Sequence, residues 1–167
     1  LALIGLFSGI ALLIHLLTSG RYGYFRDELY YLACARHLDF GYVDHPPLVA
    51  LIARLAHLLF GTSLLGLRLF PALAGAATAW TAALLARELG GRAYAQRLAA
   101  LCVSLGGNTL FSFQVLSMNA FDHLAWALCF LFAARALRTG CGRHWVYFGL
   151  AAGLGLQNKI SVLFLGA

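Results

Sequence analysis

The chain has 167 residues, of which 62% are hydrophobic and 11% charged, with a mean hydropathy of +0.81. Soluble domains carry about 25% charged residues, so this composition lacks the polar surface to cover a core and excludes a water-soluble fold; it reads as an all-α, polytopic transmembrane helix bundle. The net charge of +6 is almost all arginine, placed between apolar runs, which favours topology signals and lipid headgroup contacts over a nucleic-acid surface.

Residues 1–18 are apolar except for Ser8 and His15, close to the roughly 20 residues that cross a bilayer core, and predict a first span. The run lacks the basic start and small-residue cleavage site of a signal peptide. Residues 19–66 form a long loop with structure of its own. Asp27 to His37 reads as a short helix with Leu29, Leu32 and Ala33 on one side. Pro46-Pro47 suits the first turn of a second helix, where a missing N–H is harmless. Leu48, Leu51, Ile52, Leu55 and Leu59 follow at helical spacing, with Arg54 and His57 off the stripe. That pattern predicts an amphipathic helix lying on the membrane, ended by Gly61.

Further spans are expected at 67–86, 98–116, 122–137 and 145–167, the third softened by Gly106-Gly107-Asn108. With the first, that makes about five. Because the chain starts on Leu1 and stops inside an apolar run, it is expected to be the N-terminal part of a larger protein. The arginine-rich loops 87–97 and 135–144 are expected on the cytoplasmic side, and loop 19–66 and turn 117–122 on the opposite face. Arg21, Arg26, Arg36 and Arg54 in the outer loop run against that rule. Cys34, Cys102, Cys129 and Cys141 are too scattered for a disulfide frame or a zinc site.

Four of the six acidic residues fall in the outer loop: Asp27, Glu28, Asp39 and Asp44. Charge is costly in so apolar a chain and marks function. Adjacent carboxylates on a helix project about 100° apart, so one of Asp27 and Glu28 can face a cavity while the other caps or orients. The pair is read either as a helix-start device or as a general base or metal ligand. Asp44-His45-Pro46-Pro47 is either a helix cap or a donor or ligand at a site. Asp122, at the outer end of the fourth span, is either a cap or a third anionic site. Lys159 lies about 21 Å into the fifth span at ~1.5 Å per residue, beside Gln157 and Asn158, where a lysine snorkels or faces a cavity or anion. Gly153-Leu154-Gly155 suits helix packing better than a phosphate loop. These groups suit a reaction between a lipid phosphate in the bilayer and a polar acceptor outside it, the cation holding phosphate and a carboxylate taking the acceptor's proton. The alternative is a transporter or flippase-like bundle for lipid-linked sugars; a non-catalytic membrane subunit is a third reading.

Tyr24-Phe25-Arg26-Asp27-Glu28-Leu29-Tyr30-Tyr31, Asp44-His45-Pro46-Pro47-Leu48, Ser117-Met118-Asn119-Ala120-Phe121-Asp122 and Gly153-Leu154-Gly155-Leu156-Gln157-Asn158-Lys159 resemble bacterial members of the dolichyl-phosphate-mannose protein mannosyltransferase family. These are GT-C glycosyltransferases related to the aminoarabinose transferases that modify lipid A. The resemblance runs from the first span to the end of the chain. It implies a polyprenyl-phosphate sugar donor, inverting transfer to a lipid, glycan or protein acceptor, and a site at the outer face of a bacterial inner membrane. It also implies that Asp27 and Glu28 supply the catalytic base, Asp27 first, and that His45 and Asp122 line the site. Lys159 would meet the donor phosphate, and Arg26 and Asp44 would contact substrate. No cofactor is demanded, and a divalent cation is left open. Eukaryotic relatives carry a lysine shortly after the His-Pro-Pro element, where this sequence has Leu48-Val49-Ala50.

Overall fold

A computed structural model describes residues 2–166, and every regular element among them is helical. Leu1 and Ala167, the outer ends of the first and fifth expected spans, lie outside the described residues. The elements are α1 (Ala2–Thr18), α2 (Arg26–Arg36), α3 (Leu48–Phe60), α4 (Leu64–Glu88), α5 (Ala93–Leu105), α6 (Gly107–Ser112), α7 (Met118–Thr139) and α8 (Arg143–Leu156), closed by a 3₁₀ segment, Ile160–Gly166. Two helices, α4 and α7, are long and apolar enough to cross a membrane; α1 is apolar but shorter.

α4 is the central element. It packs against α1, α5 and α7, and its N-terminal end meets α3. The interfaces are built from small residues. Ala74, Ala79 and Ala83 of α4, Ala100 of α5 and Ala120 of α7 are buried, while leucines such as Leu6, Leu13 and Leu17 of α1 face outward. Without water to drive association, helices in lipid gain from close backbone approach, which small residues permit. Gly75 is the clearest case: a Cβ there would meet Phe113 Cγ at 2.7 Å, so the buried phenyl ring lies directly on the α4 backbone.

The segments 98–116, expected as a span softened at Gly106-Gly107-Asn108, and 145–167, expected as a span, are both interrupted. α5 stops at Gly106, whose backbone is extended (φ −61°, ψ 132°). Thr109 Oγ1 repairs the break by donating to the carbonyls of Val103 at 2.6 Å and Gly106 at 2.8 Å. α8 stops at Leu156, and the Gln157 carbonyl there accepts from the Leu48 amide at 2.9 Å. Carbonyls left over at the end of α8 are thus matched to amides left over at the start of α3. Val162 of the 3₁₀ segment folds back onto Gly155, where a Cβ would lie 2.8 Å from Val162 Cγ2 and 2.9 Å from Ala125 Cβ. Gly155 is therefore a packing glycine.

α3 starts one residue after Pro47 and ends at Gly61 in positive φ (61°). Its buried face is Val49, Ala50, Ala53 and Ala56, and Leu51, Leu55, Leu58 and Leu59 are exposed. The leucine stripe therefore points away from the bundle, as a helix lying in the membrane interface requires.

The bundle has two chemically distinct ends. At one, Glu88 at the end of α4 pairs with Arg135 at 3.0 Å and Arg138 at 2.7 Å, both near the end of α7. At the other lie the starts of α2, α3, α4 and α7. α4 separates the two ends by about 37 Å at ~1.5 Å per residue over its 25 residues.

Candidate active site

Asp27 and Glu28 share the first turn of α2 but not an environment. Glu28 is fully buried. Its Oε1 accepts from Arg68 Nε at 2.8 Å and from the Leu116 amide at 3.0 Å. Its Oε2 accepts from Arg68 Nη2 at 2.7 Å and from the Phe25 amide at 2.8 Å. Arg68, also buried, donates further to the carbonyls of Ser19, Tyr22 and Gly23. This buried fork-to-fork pair ties α2 to α4, to the segment after α1 and to the segment leading into α7. A carboxylate engaged by four donors has no free lone pair aimed at a substrate.

Asp27 turns the other way. Its side chain is 37% exposed, and Arg26, 91% exposed, meets it at 3.2 Å. Arg26 projects outward and makes its polar contact with Asp27. Leu116, held by Glu28, lies two residues before α7, so the first turn of α2 sits beside the start of that helix. Burial, with the charges of Asp27 and Asp44 adding to it, pushes the Tyr31 phenol up to about 12.

The second cluster forms around His45. Its ring is buried, stacked on Tyr42 at 4.7 Å between centroids and met edge-on by Tyr31 at 5.1 Å and Tyr30 at 5.5 Å. Nδ1 lies 2.8 Å from the Pro46 carbonyl, so it carries a hydrogen and donates, which leaves Nε2 of a neutral ring as an acceptor. Nε2 is buried without a partner. Asp44 Oδ1 accepts from Tyr30 at 2.7 Å, and that bond holds the Tyr30 hydroxyl proton well above its ordinary range. An open cavity of about 500 Å³ is lined by Phe40, Tyr42, Asp44, His45, Met118 and Lys159, among others.

Lys159 reaches the cavity because α8 has ended. Its Nζ donates to Asn119 Oδ1 at 2.9 Å and lies 3.9 Å from Asp122 Oδ2. Asp122 Oδ1 accepts from Ser161 at 2.6 Å. Asn158, fully buried, donates to the Met118 carbonyl at 2.7 Å. The cap at α7 falls to Ser117 and that at α3 to Pro47, with no side-chain cap bond at either. Neither Asp122 nor Asp44 is a helix cap.

The fold thus gathers Asp44, His45, Asp122 and Lys159 around Met118, whereas Asp27 does not line that cavity. Among the described residues, no three His, Cys, Asp or Glu side chains gather to hold a metal ion. Arg68 and Ser161 escape the sequence reading, and Tyr30 and Asn119 enter it only within the motifs that carry the resemblance, with no role of their own. Arg68 carried a usable signal, a charge one residue inside the apolar run 67–86. The other three are ordinary polar residues that only tertiary contact singles out.

A family model described as dolichyl-phosphate-mannose-protein mannosyltransferase matches residues 44–167, most of the chain. The chain belongs to this mannosyltransferase family. Its members are integral membrane glycosyltransferases that move sugar from a lipid-linked donor to an acceptor. The matched stretch contains Asp44, His45, Asp122 and Lys159, whereas Asp27 and Glu28 precede it. No curated protein and no solved structure matches the chain.

Proposed function

We propose that this protein transfers a hexosyl or pentosyl unit from a polyprenyl-phosphate donor to a lipid, glycan or protein acceptor, at the non-cytoplasmic face of a bacterial inner membrane. The observation that carries the proposal is the cavity in which Asp44, His45 and Lys159 converge beside the start of α7. Lys159 binds the donor phosphate and stabilises the charge it gains as the sugar C1–O bond breaks and the lipid phosphate leaves with the electron pair. The acceptor hydroxyl oxygen attacks C1 from the opposite side, which inverts the configuration. Asp27, with its oxygens free of buried partners, takes the hydroxyl proton. Asp44 accepts hydrogen bonds from sugar hydroxyls and fixes the ring, the buried His45 shapes the cavity wall, and Asp122 with Asn119 orients Lys159. Arg26, on the open side of Asp27, contacts the acceptor. Glu28 acts through position alone: with Arg68 it fixes the turn that presents Asp27.

The broken helices α5/α6 and α8/3₁₀ are a feature that transporters also use. Here the second break delivers Lys159 to the cavity, a use a transferase shares, and the family match favours transfer. Mass spectrometry of membrane lipids and glycans tests the proposal, comparing cells with the intact gene, without it, and complemented with Lys159→Met. The sugar-bearing product is expected only with the unaltered gene. Identical profiles in all three strains would refute it.

A further inference from the structure

A second pocket lies outside the cavity just described, between α2 and α3. Arg36 from the last turn of α2 and Arg54 and His57 from α3 line it, above an apolar floor that includes Leu29, Leu32 and Leu67. Its volume is about 210 Å³ and no acidic side chain lines it. Among the described residues, neither Arg36 nor Arg54 has an ion-pair partner. Two guanidiniums that line one apolar-floored pocket without a counter-charge give it a positive potential suited to an anion.

The surroundings say what bears that anion. Arg54 follows Leu51 by three residues and precedes Leu58 by four, so all three stand on one side of α3. Both leucines are exposed, on the stripe that faces away from the bundle. A ligand whose charge meets Arg36 and Arg54 therefore has hydrocarbon-facing surface beside it for acyl chains. We propose that this pocket binds the phosphate of an anionic diacyl phospholipid, its chains lying along Leu51 and Leu58, and so anchors the α2–α3 unit to the membrane surface. The guanidiniums supply charge-assisted hydrogen bonds to phosphate oxygens, and His57, whose Nδ1 is 3.1 Å from the Gly61 carbonyl, walls the pocket. The site is separate from the cavity at Lys159 and does not depend on sugar transfer.

Native mass spectrometry of the purified, delipidated full-length protein tests it, with phosphatidylglycerol or phosphatidylcholine added back. The unaltered protein is expected to retain phosphatidylglycerol preferentially. The Arg36→Gln/Arg54→Gln double variant is expected to lose that preference, with affinity about 30-fold weaker and an unchanged melting temperature in lipid-free detergent, since neither guanidinium has a protein partner to lose. If the double variant does not fold, each single variant should weaken retention about fivefold. Equal retention of the two lipids, equal retention by variant and unaltered protein, or release of phosphatidylglycerol by millimolar inorganic phosphate, which marks a site for free phosphate, would each overturn the proposal.

Discussion

At the scale of single residues, two adjacent carboxylates have opposite fates, and the cause is helix geometry. One residue's rotation puts Glu28 against Arg68 and leaves Asp27 in the open. The sequence made half of this legible: adjacency on a helix requires that the two face different partners. Which one turns inward was not legible, because it depends on Arg68, 40 positions later. Breaking a buried ion pair by removing one partner costs about 3–5 kcal/mol, and neither side chain is open to solvent screening. Glu28→Gln and Arg68→Gln are each expected to lower the melting temperature of the purified protein sharply, whereas Asp27→Asn is expected to leave it near the unaltered value. The Tyr30–Asp44 bond makes a pH prediction. A phenol whose proton is held above its ordinary value of 10.0 contributes stability that is fully present below that pH and is lost as pH rises further. Phenolate absorbance should therefore show two tyrosines, Tyr30 and Tyr31, ionising later than an ordinary phenol, and Asp44→Asn should bring Tyr30 back toward the ordinary range.

At the scale of elements, apolar periodicity located α1, α2, α3, α4 and α7 to within a few residues, because each is a continuous run with a clear start or stop. In 98–116 it marked only a softening at Gly106-Gly107-Asn108, where the helix in fact breaks, and in 145–167, apolar enough to read as a single helix, it marked no break. The interruptions come from local exceptions: extended backbone at Gly106, and the exchange of a hydrogen bond between Gln157 and Leu48. A hydropathy pattern does not register either one. Where Val162 and Ala125 close on Gly155, a methyl group has no room without displacement. Gly155→Ala is expected to destabilise the protein by about 1–3 kcal/mol, and also to weaken donor binding, because it shifts the segment that carries Lys159. Thermal melting together with KM for the donor checks both; unchanged values for both would mean the 3₁₀ segment does not rest on α8 as described.

At the scale of the whole molecule, the long central helix holds the arginine cluster around Glu88 at one end and the carboxylate, histidine and lysine cluster at the other. The separation follows from arginine placement and span order, which is why it was readable before any coordinates. The positive-inside argument assigns the arginine end to the cytoplasm. In a cysteine-free background, Val43→Cys, beside the cavity, should react with a membrane-impermeant maleimide on intact cells. Leu89→Cys, at the opposite end, should react only after permeabilisation; the reverse pattern would invert the topology. The central claim, that Asp27 takes the acceptor's proton while Glu28 only positions it, is tested most directly by the turnover of full-length enzyme carrying Asp27→Asn. The account predicts a fall in kcat of about 10²- to 10⁴-fold with donor binding and melting temperature preserved. Turnover at the unaltered rate would contradict it.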